Sequence, residues 1–182
     1  MTISHPKYQT GTWKLDPTHS QIAFSVKHLM ISKVRGTFDS FDVTIVTPED
    51  PSQTSIEATI DVASVDTNQA DRDNHLRTSD FFNVEEFPTM TFRSTAITTN
   101  GDEFTVDGDL TLRGVTKPVT LTGEFGGIIV DGYGQTKAAA SATAKINRQD
   151  FGVNWNAALE AGGMTLGDVV TITLDLQVTL QP

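Results

Sequence analysis

A chain of 182 residues is long enough for one well-cored domain, and an all-β barrel of this length need not be divided. Its net charge of −10 and pI of about 4.6 weigh against DNA, RNA or an anionic membrane surface as a partner, because each needs a basic face. With no cysteine there is no disulfide, no thiolate metal site and no cysteine nucleophile.

The opening stretch, MTISHPKYQTGTW, has no basic segment followed by an apolar run. No secretory signal is visible, and no window is long and apolar enough to span a bilayer as a helix, so a cytoplasmic location is expected. Residues 1–9 are expected to be a flexible N-terminus, and 10–182 a single domain. Thr10 to Asp16 reads as a short strand closed by Asp16-Pro17. Ser20 to His28 alternates cleanly, with Ile22, Phe24 and Val26 on one face. From Val34 to Val46 the apolar parity changes, from Gly36 and Phe38 to Phe41, Val43 and Ile45, which predicts a bulge or bend near Asp39-Ser40. Thr54 to Ser64 returns as a strand with Ile56, Ala58, Ile60 and Val62 inward.

The alternation stops between Ser64 and Phe92. Asn68 to Ser79 is polar and charged, and predicts a short helix over about Gln69 to Ser79. Thr67 or Asn68 suits its N-cap, and Asp71 and Asp73 suit the positive end of its dipole. Leu76 and the Phe81–Phe82 pair are expected to turn inward. Pro88 cannot continue a helix and holds Phe87 extended, so the next strand begins there.

Thr89 to Thr98 carries Met90 and Phe92, and Asn100-Gly101 is the strongest hairpin signal in the chain. Glu103 to Arg113 places Phe104, Val106, Leu110 and Leu112 on one face, and Gly114 turns the chain into Val115–Val130. Thr136 to Asn147 has alanine at 138, 140, 142 and 144, small side chains that leave room for a close neighbour or a ligand. Asn147 to Gly167 is irregular and holds Phe151 and Trp155. Asp168 to Gln181 alternates most regularly, with Ile172, Leu174 and Leu176 on one face.

Eight or nine strands joined by short turns, with one inserted helix, predict an all-β sandwich or antiparallel barrel. A last strand of roughly 40 Å, at ~3.4 Å per residue, favours the barrel. A membrane barrel would be apolar outside; without aromatic girdles, the soluble arrangement with its apolar face inward is expected. A barrel of about eight strands is either filled by side chains or holds one small ligand. An inward face that mixes Phe24, Phe38, Phe92 and Phe104 with Gly36, Gly108, Ala140 and Ala142 suits either outcome.

Four segments carry a resemblance: WKLDPTHSQIAFSVKHLMISKVRGTF, VDTNQADRDNHLRTSDFFNVEEFPTMTF, GDLTLRGVTKPVTL and NRQDFGVNW. Together they resemble the successive signatures of the YceI-like family, from Trp13 to the final strand. The resemblance implies an extended lipocalin-like antiparallel barrel partly closed by a helix. It also implies an elongated apolar pocket for isoprenoid quinones, polyprenyl phosphates or similar long amphiphiles. Many relatives are exported to the periplasm, whereas no signal is visible here. The expected apolar lining is Ile22, Phe24, Val26, Phe38, Ile60, Phe82, Phe92, Leu110 and Leu112, together with Ala140, Ala142, Trp155, Ile172, Leu174 and Leu176. No cofactor is expected, and an elongated barrel can pair through a face as a homodimer.

Arginine matches a phosphate or carbonyl headgroup, so Arg72, Arg113 and Arg148, with His28 and His75, are the headgroup candidates. Arg148 has Asp150 two residues away as its expected ion-pair partner. The alternative function is a metal-dependent or acid–base enzyme using Asp71, Asp73 and His75 on the inserted helix. A zinc site needs three or four converging ligands, whereas the sequence offers one helical pair, Asp71 and His75, and the distant His19 and His28. No nucleophile-elbow or phosphate-loop pattern is present.

Overall fold

The computed structural model describes residues 5–182. The strand segments are β1 (Gly11–Leu15), β2 (Gln21–His28), β3 (Ser32–Phe38), β4 (Phe41–Thr47), β5 (Ser55–Asp61) and β6 (Val65–Asp66). Helix α1 (Ala70–Arg77) follows, then β7 (Thr89–Asn100), β8 (Glu103–Leu112), β9 (Val115–Val130), β10 (Thr136–Asn147) and β11 (Leu166–Leu180). Three pairs of segments are long strands broken at a corner. β1 and β2 lie end to end along one edge of β11, through Trp13↔Leu180 and Ile22↔Leu174. β3 and β4 do the same along β2 and β1, and β5 and β6 along β4 and β3. Eight strands therefore each pair antiparallel with the next in sequence, and β1 against β11 closes the ring. Closure leaves the barrel core without a free edge.

Aspartates build two of the corners. Asp16 accepts a hydrogen bond from Thr18 N at 3.1 Å, and Asp61 accepts one from Ala63 N at 3.1 Å. Each opens a single 3-10 turn, at Pro17–His19 and Val62–Ser64. This is the aspartate side chain mimicking a backbone turn. The third corner is the bend at Asp39-Ser40, where the parity change predicted it. The β7–β8 loop is Gly101-Asp102, one residue beyond the expected Asn-Gly turn, because Asn100 still pairs with Glu103. Gly101 takes φ +62° at the first loop position, a conformation natural to glycine.

α1 is shorter than the expected helix and is capped differently. Gln69, not Thr67 or Asn68, accepts from Arg72 N at 2.6 Å. Asn68 sits at φ +61°, and Thr67 donates both its backbone N–H and its hydroxyl to Asp73 Oδ1. At the other end Thr78 Oγ1 binds the carbonyl of His75 at 2.6 Å and stops the helix before Ser79. Leu76, Phe81 and Phe82 pack on the core as expected.

The inner face of the barrel is apolar. Val43, Val62, Val65, Val106 and Phe151 are almost wholly buried. Residues 1–4 of the stretch expected to be flexible lie outside the described residues. His5 and Tyr8 lie against the barrel: the His5 ring meets Phe125 edge-on at 4.7 Å, and Tyr8 donates to the carbonyl of Pro48 at 2.6 Å.

Candidate ligand cavity

Alternating side chains from all eight strands leave space along the barrel axis, in three compartments. The largest, about 500 Å³, lies under α1 and is lined by Phe24, Val26, Val34, Phe38, Leu76, Phe82, Leu112, Trp155 and Leu166 among others. The middle one, about 210 Å³, is bounded by Ile22, Ile60, Phe92, Leu110, Ala140, Ala142, Leu174 and Leu176. The far one, also about 210 Å³, is bounded by Trp13, Ile45, Phe104, Phe125, Ala138 and Val178, and His5 and Tyr8 lie over it. Met90 and Ile172 border both the first and the middle compartments. Phe104, Phe125 and Ala140 border both the middle and the far ones. The compartments thus follow one another from the helix end to the opposite end, and the first is within the volume range of small-molecule pockets. Every apolar lining residue expected from the sequence borders one of them.

The glycines and alanines play different parts. A Cβ on Gly36 would stand 2.5 Å from Phe24 Cζ, and one on Gly108 would meet the Phe92 ring. These glycines are covered by aromatic rings, so the large-against-small contacts there are close packing. The alanines of β10 face the open middle compartment instead.

Polar groups border both ends of the run: His28, Gln69, Asp71, Arg72, His75, Arg148 and Thr165 at the largest compartment, and His5, Lys7, Tyr8, Gln9 and Asp102 at the far one. Arg148 is 5% exposed. Its Nε donates to Gly167 O at 2.8 Å, and Nη1 donates to Val153 O at 2.8 Å and Trp155 O at 2.9 Å. Its Nη2 is buried without a hydrogen-bond partner among the described residues. The nearest carboxylate is Asp168, at 3.8 Å, and not the expected Asp150, which the 3-10 turn Arg148–Phe151 leaves exposed. Burial pushes the Arg148 pKa below its ordinary value and Asp168 opposes the shift. A guanidinium still remains charged at any physiological pH.

Arg72 reaches back to Thr67, through Nε to Oγ1 at 2.7 Å and Nη2 to the carbonyl at 2.7 Å. His75 Nε2 lies 2.8 Å from Asp80 Oδ2, and its ring meets Phe81 and Trp155 edge-on at 5.0 and 5.1 Å. Arg113 does not border the cavity. It occupies the β8–β9 turn at φ +50°, and its Nη1 holds the carbonyls of Ser79 and Phe81 after the helix. Asp71, Asp73 and His75 do not converge, since Asp73 is committed to Thr67 and His75 pairs with Asp80. Among the described residues no three His, Asp or Glu side chains stand close enough to hold a metal ion. Sequence reasoning missed His5 and Tyr8 at the far end, which lie in a stretch without periodicity. It also passed over Met90 as a boundary residue, although Met90 shares its strand parity with Phe92.

A closed eight-stranded antiparallel barrel around an elongated apolar cavity defines the lipocalin-like class of binding protein. Residues 13–178 match the YceI-like domain, and the chain belongs to that family. A UPF0312 protein of Staphylococcus aureus is 42% identical over 154 residues, covering 84% of this chain and 88% of the relative. The crystal structure of the Campylobacter jejuni YCEI protein superposes with TM-score 0.71 at 31% identity, over 86% of this chain and 90% of that one. Two more distant structures share the fold. Burkholderia cenocepacia BcnA has TM-score 0.77 at 24% identity, covering 90% and 98% of the two chains. A polyisoprenoid binding domain from Saccharophagus degradans, implicated in plant cell wall breakdown, has TM-score 0.69 at 15% identity, covering 95% and 100%.

Proposed function

We propose that this protein binds a long-chain isoprenoid lipid, an isoprenoid quinone or a polyprenyl phosphate, and carries or stores it without chemical change. The observation that carries this reading is the run of apolar compartments along the barrel axis, almost wholly apolar in the middle, with a buried arginine, Arg148, at the helix end. A long apolar tail matches the middle of that run, and a single polar head matches the buried arginine at the helix end. Each buried CH₂ contributes about 0.8 kcal/mol, so a prenyl tail supplies affinity while ordering and desolvation offset most of it. The Nη2 of Arg148, with no hydrogen-bond partner among the described residues, is a donor suited to a phosphate or quinone oxygen. The polyisoprenoid binding domain of Saccharophagus degradans, which shares the fold, supports the same ligand class.

The test is native mass spectrometry of protein purified without detergent, followed by solvent extraction of the bound lipid. A discrete adduct that fragments at prenyl spacing is expected. A bare protein that also fails to take up added polyprenyl compounds would overturn the reading.

A further inference from the structure

The β2–β3 hairpin, at the rim of the largest compartment, has a composition unlike the rest of the chain. Its tip, Leu29-Met30-Ile31, is exposed: Met30 is 63% and Ile31 88% accessible. Leu29 and Met30 hold φ of +53° and +62°, a region large apolar residues rarely adopt. The tip is joined to the loop before β11, where Leu29 N donates to Thr165 O at 2.7 Å and Met30 Sδ lies over Gly163. Met164, beside that glycine, is 46% exposed. The hairpin and the loop make one apolar lip, and His28, Thr165 and Leu166 continue it into the cavity wall.

Directly behind the lip the outward face is basic. Lys27 and Lys33 sit opposite one another across the hairpin, both exposed, and Arg35 follows on the same face. None of the three makes an ion pair among the described residues. Residues 21–38 contain no Asp or Glu, although the chain has 23 of them. Like charges placed directly opposite in a sheet repel one another, and an anionic partner removes that repulsion. The net charge of −10 excludes general attraction to an anionic surface, but it is an average over the molecule and conceals this hairpin.

We propose that the β2–β3 tip docks on the surface of an anionic lipid bilayer, with Met30 and Ile31 entering the apolar layer and Lys27, Lys33 and Arg35 meeting the headgroups. An apolar tip backed by lysine and arginine is the distribution that binds in the plane of a membrane interface. The geometry sets the cavity rim against the bilayer, so that a lipid tail can pass between the two without crossing water. This route rests on the lipid-binding reading; the docking itself does not.

The experiment is co-sedimentation with vesicles of phosphatidylcholine alone and of phosphatidylcholine mixed with phosphatidylglycerol, paired with native mass spectrometry of each variant. Binding to the mixed vesicles, weakened by added salt, is expected. Lys33→Gln should lower the partition coefficient about fivefold, and Ile31→Ser about tenfold. Neither side chain lines the cavity, so both variants should retain any lipid adduct of the parent protein. Docking without an adduct would leave this proposal standing and count against the lipid cargo; an adduct without docking would do the reverse. Equal binding by Ile31→Ser and the parent protein would overturn the proposal. So would a dimer in sedimentation that Ile31→Ser dissolves, because the tip would then belong to a second copy of the chain.

Discussion

Arg148 ties the irregular segment to the barrel with three hydrogen bonds to main-chain carbonyls, and its Nη2 has no hydrogen-bond partner among the described residues. Removing it strands buried acceptors, each at a cost of about 1–3 kcal/mol. Arg148→Met should therefore lower stability by several kcal/mol, read as a fall in the urea midpoint. Arg148→Lys keeps the charge but loses the planar fork, so it should destabilise less while still weakening retention of an anionic or quinone headgroup. Unchanged retention in a folded Arg148→Lys protein would remove Arg148 from the headgroup site. Asp73 separates the structural from the catalytic reading of the helix. Its carboxylate accepts from Thr67 N at 2.9 Å and from the Thr67 hydroxyl. Asp73→Ala should cost about 1–3 kcal/mol in thermal or urea unfolding, with no change in bound lipid. Loss of a chemical turnover at unaltered stability would favour the enzyme. From the sequence these roles could be narrowed but not assigned. Side-chain type pointed to Arg148 as a headgroup ligand, but its actual partners are carbonyls of residues 153, 155 and 167, which local spacing does not reveal.

Elements were legible wherever one face is buried and the other wet, because the period of two is then written in the side chains. The parity change at Asp39-Ser40 marked a real corner, and β9 and β10 run over the expected residues. Corners made by aspartate were harder to read. Asp16-Pro17 looked like the end of a strand, whereas the chain turns once and resumes along the same edge of β11. Asp16 fastens that corner. It accepts from the Thr18 hydroxyl at 2.7 Å, and lies 3.0 Å from His19 Nδ1 and 3.2 Å from Lys137 Nζ. The Thr18 hydroxyl, opposed by burial and helped by His19 and Lys137, holds its carboxyl well below the usual carboxylate range. Its folded pKa is therefore below its unfolded value of about 3.9. The resulting stability is complete above that unfolded value and is lost as pH falls through the folded one. Asp16→Asn keeps a competent cap but loses the charge. The gap in urea midpoint between Asp16→Asn and the parent should be constant near neutrality and begin to close below about pH 4. A gap that stays constant down to pH 3 would mean that the carboxylate charge contributes nothing to the corner.

At the scale of the whole molecule, alternation gave the barrel and its inner face, but not whether that face is filled. Volume depends on which side chains meet across the barrel, and no local pattern records this. The two kinds of small residue on the inner face answer differently: Gly36 lies under the Phe24 ring, while Ala140 stands between the middle and far compartments. Enlarging each tests the distinction. Gly36→Ala should destabilise by about 1–3 kcal/mol through overpacking, a fall of very roughly 2–10 °C in the thermal midpoint for a chain of this size. Ala140→Phe places a ring in existing space, so the midpoint should hold or rise. The same ring closes the passage to the far compartment. A lipid reaching in from the helix end would then be limited to the compartments before Ala140. The adducts seen by native mass spectrometry should accordingly shift to shorter prenyl chains, whereas a matching enlargement on the outer face of β10, at Thr143, should leave them as they were. An unaltered chain-length distribution in Ala140→Phe, with the protein still folded, would show that the tail does not run the length of the barrel. A midpoint that falls as far as that of Gly36→Ala would show that this wall is packed after all.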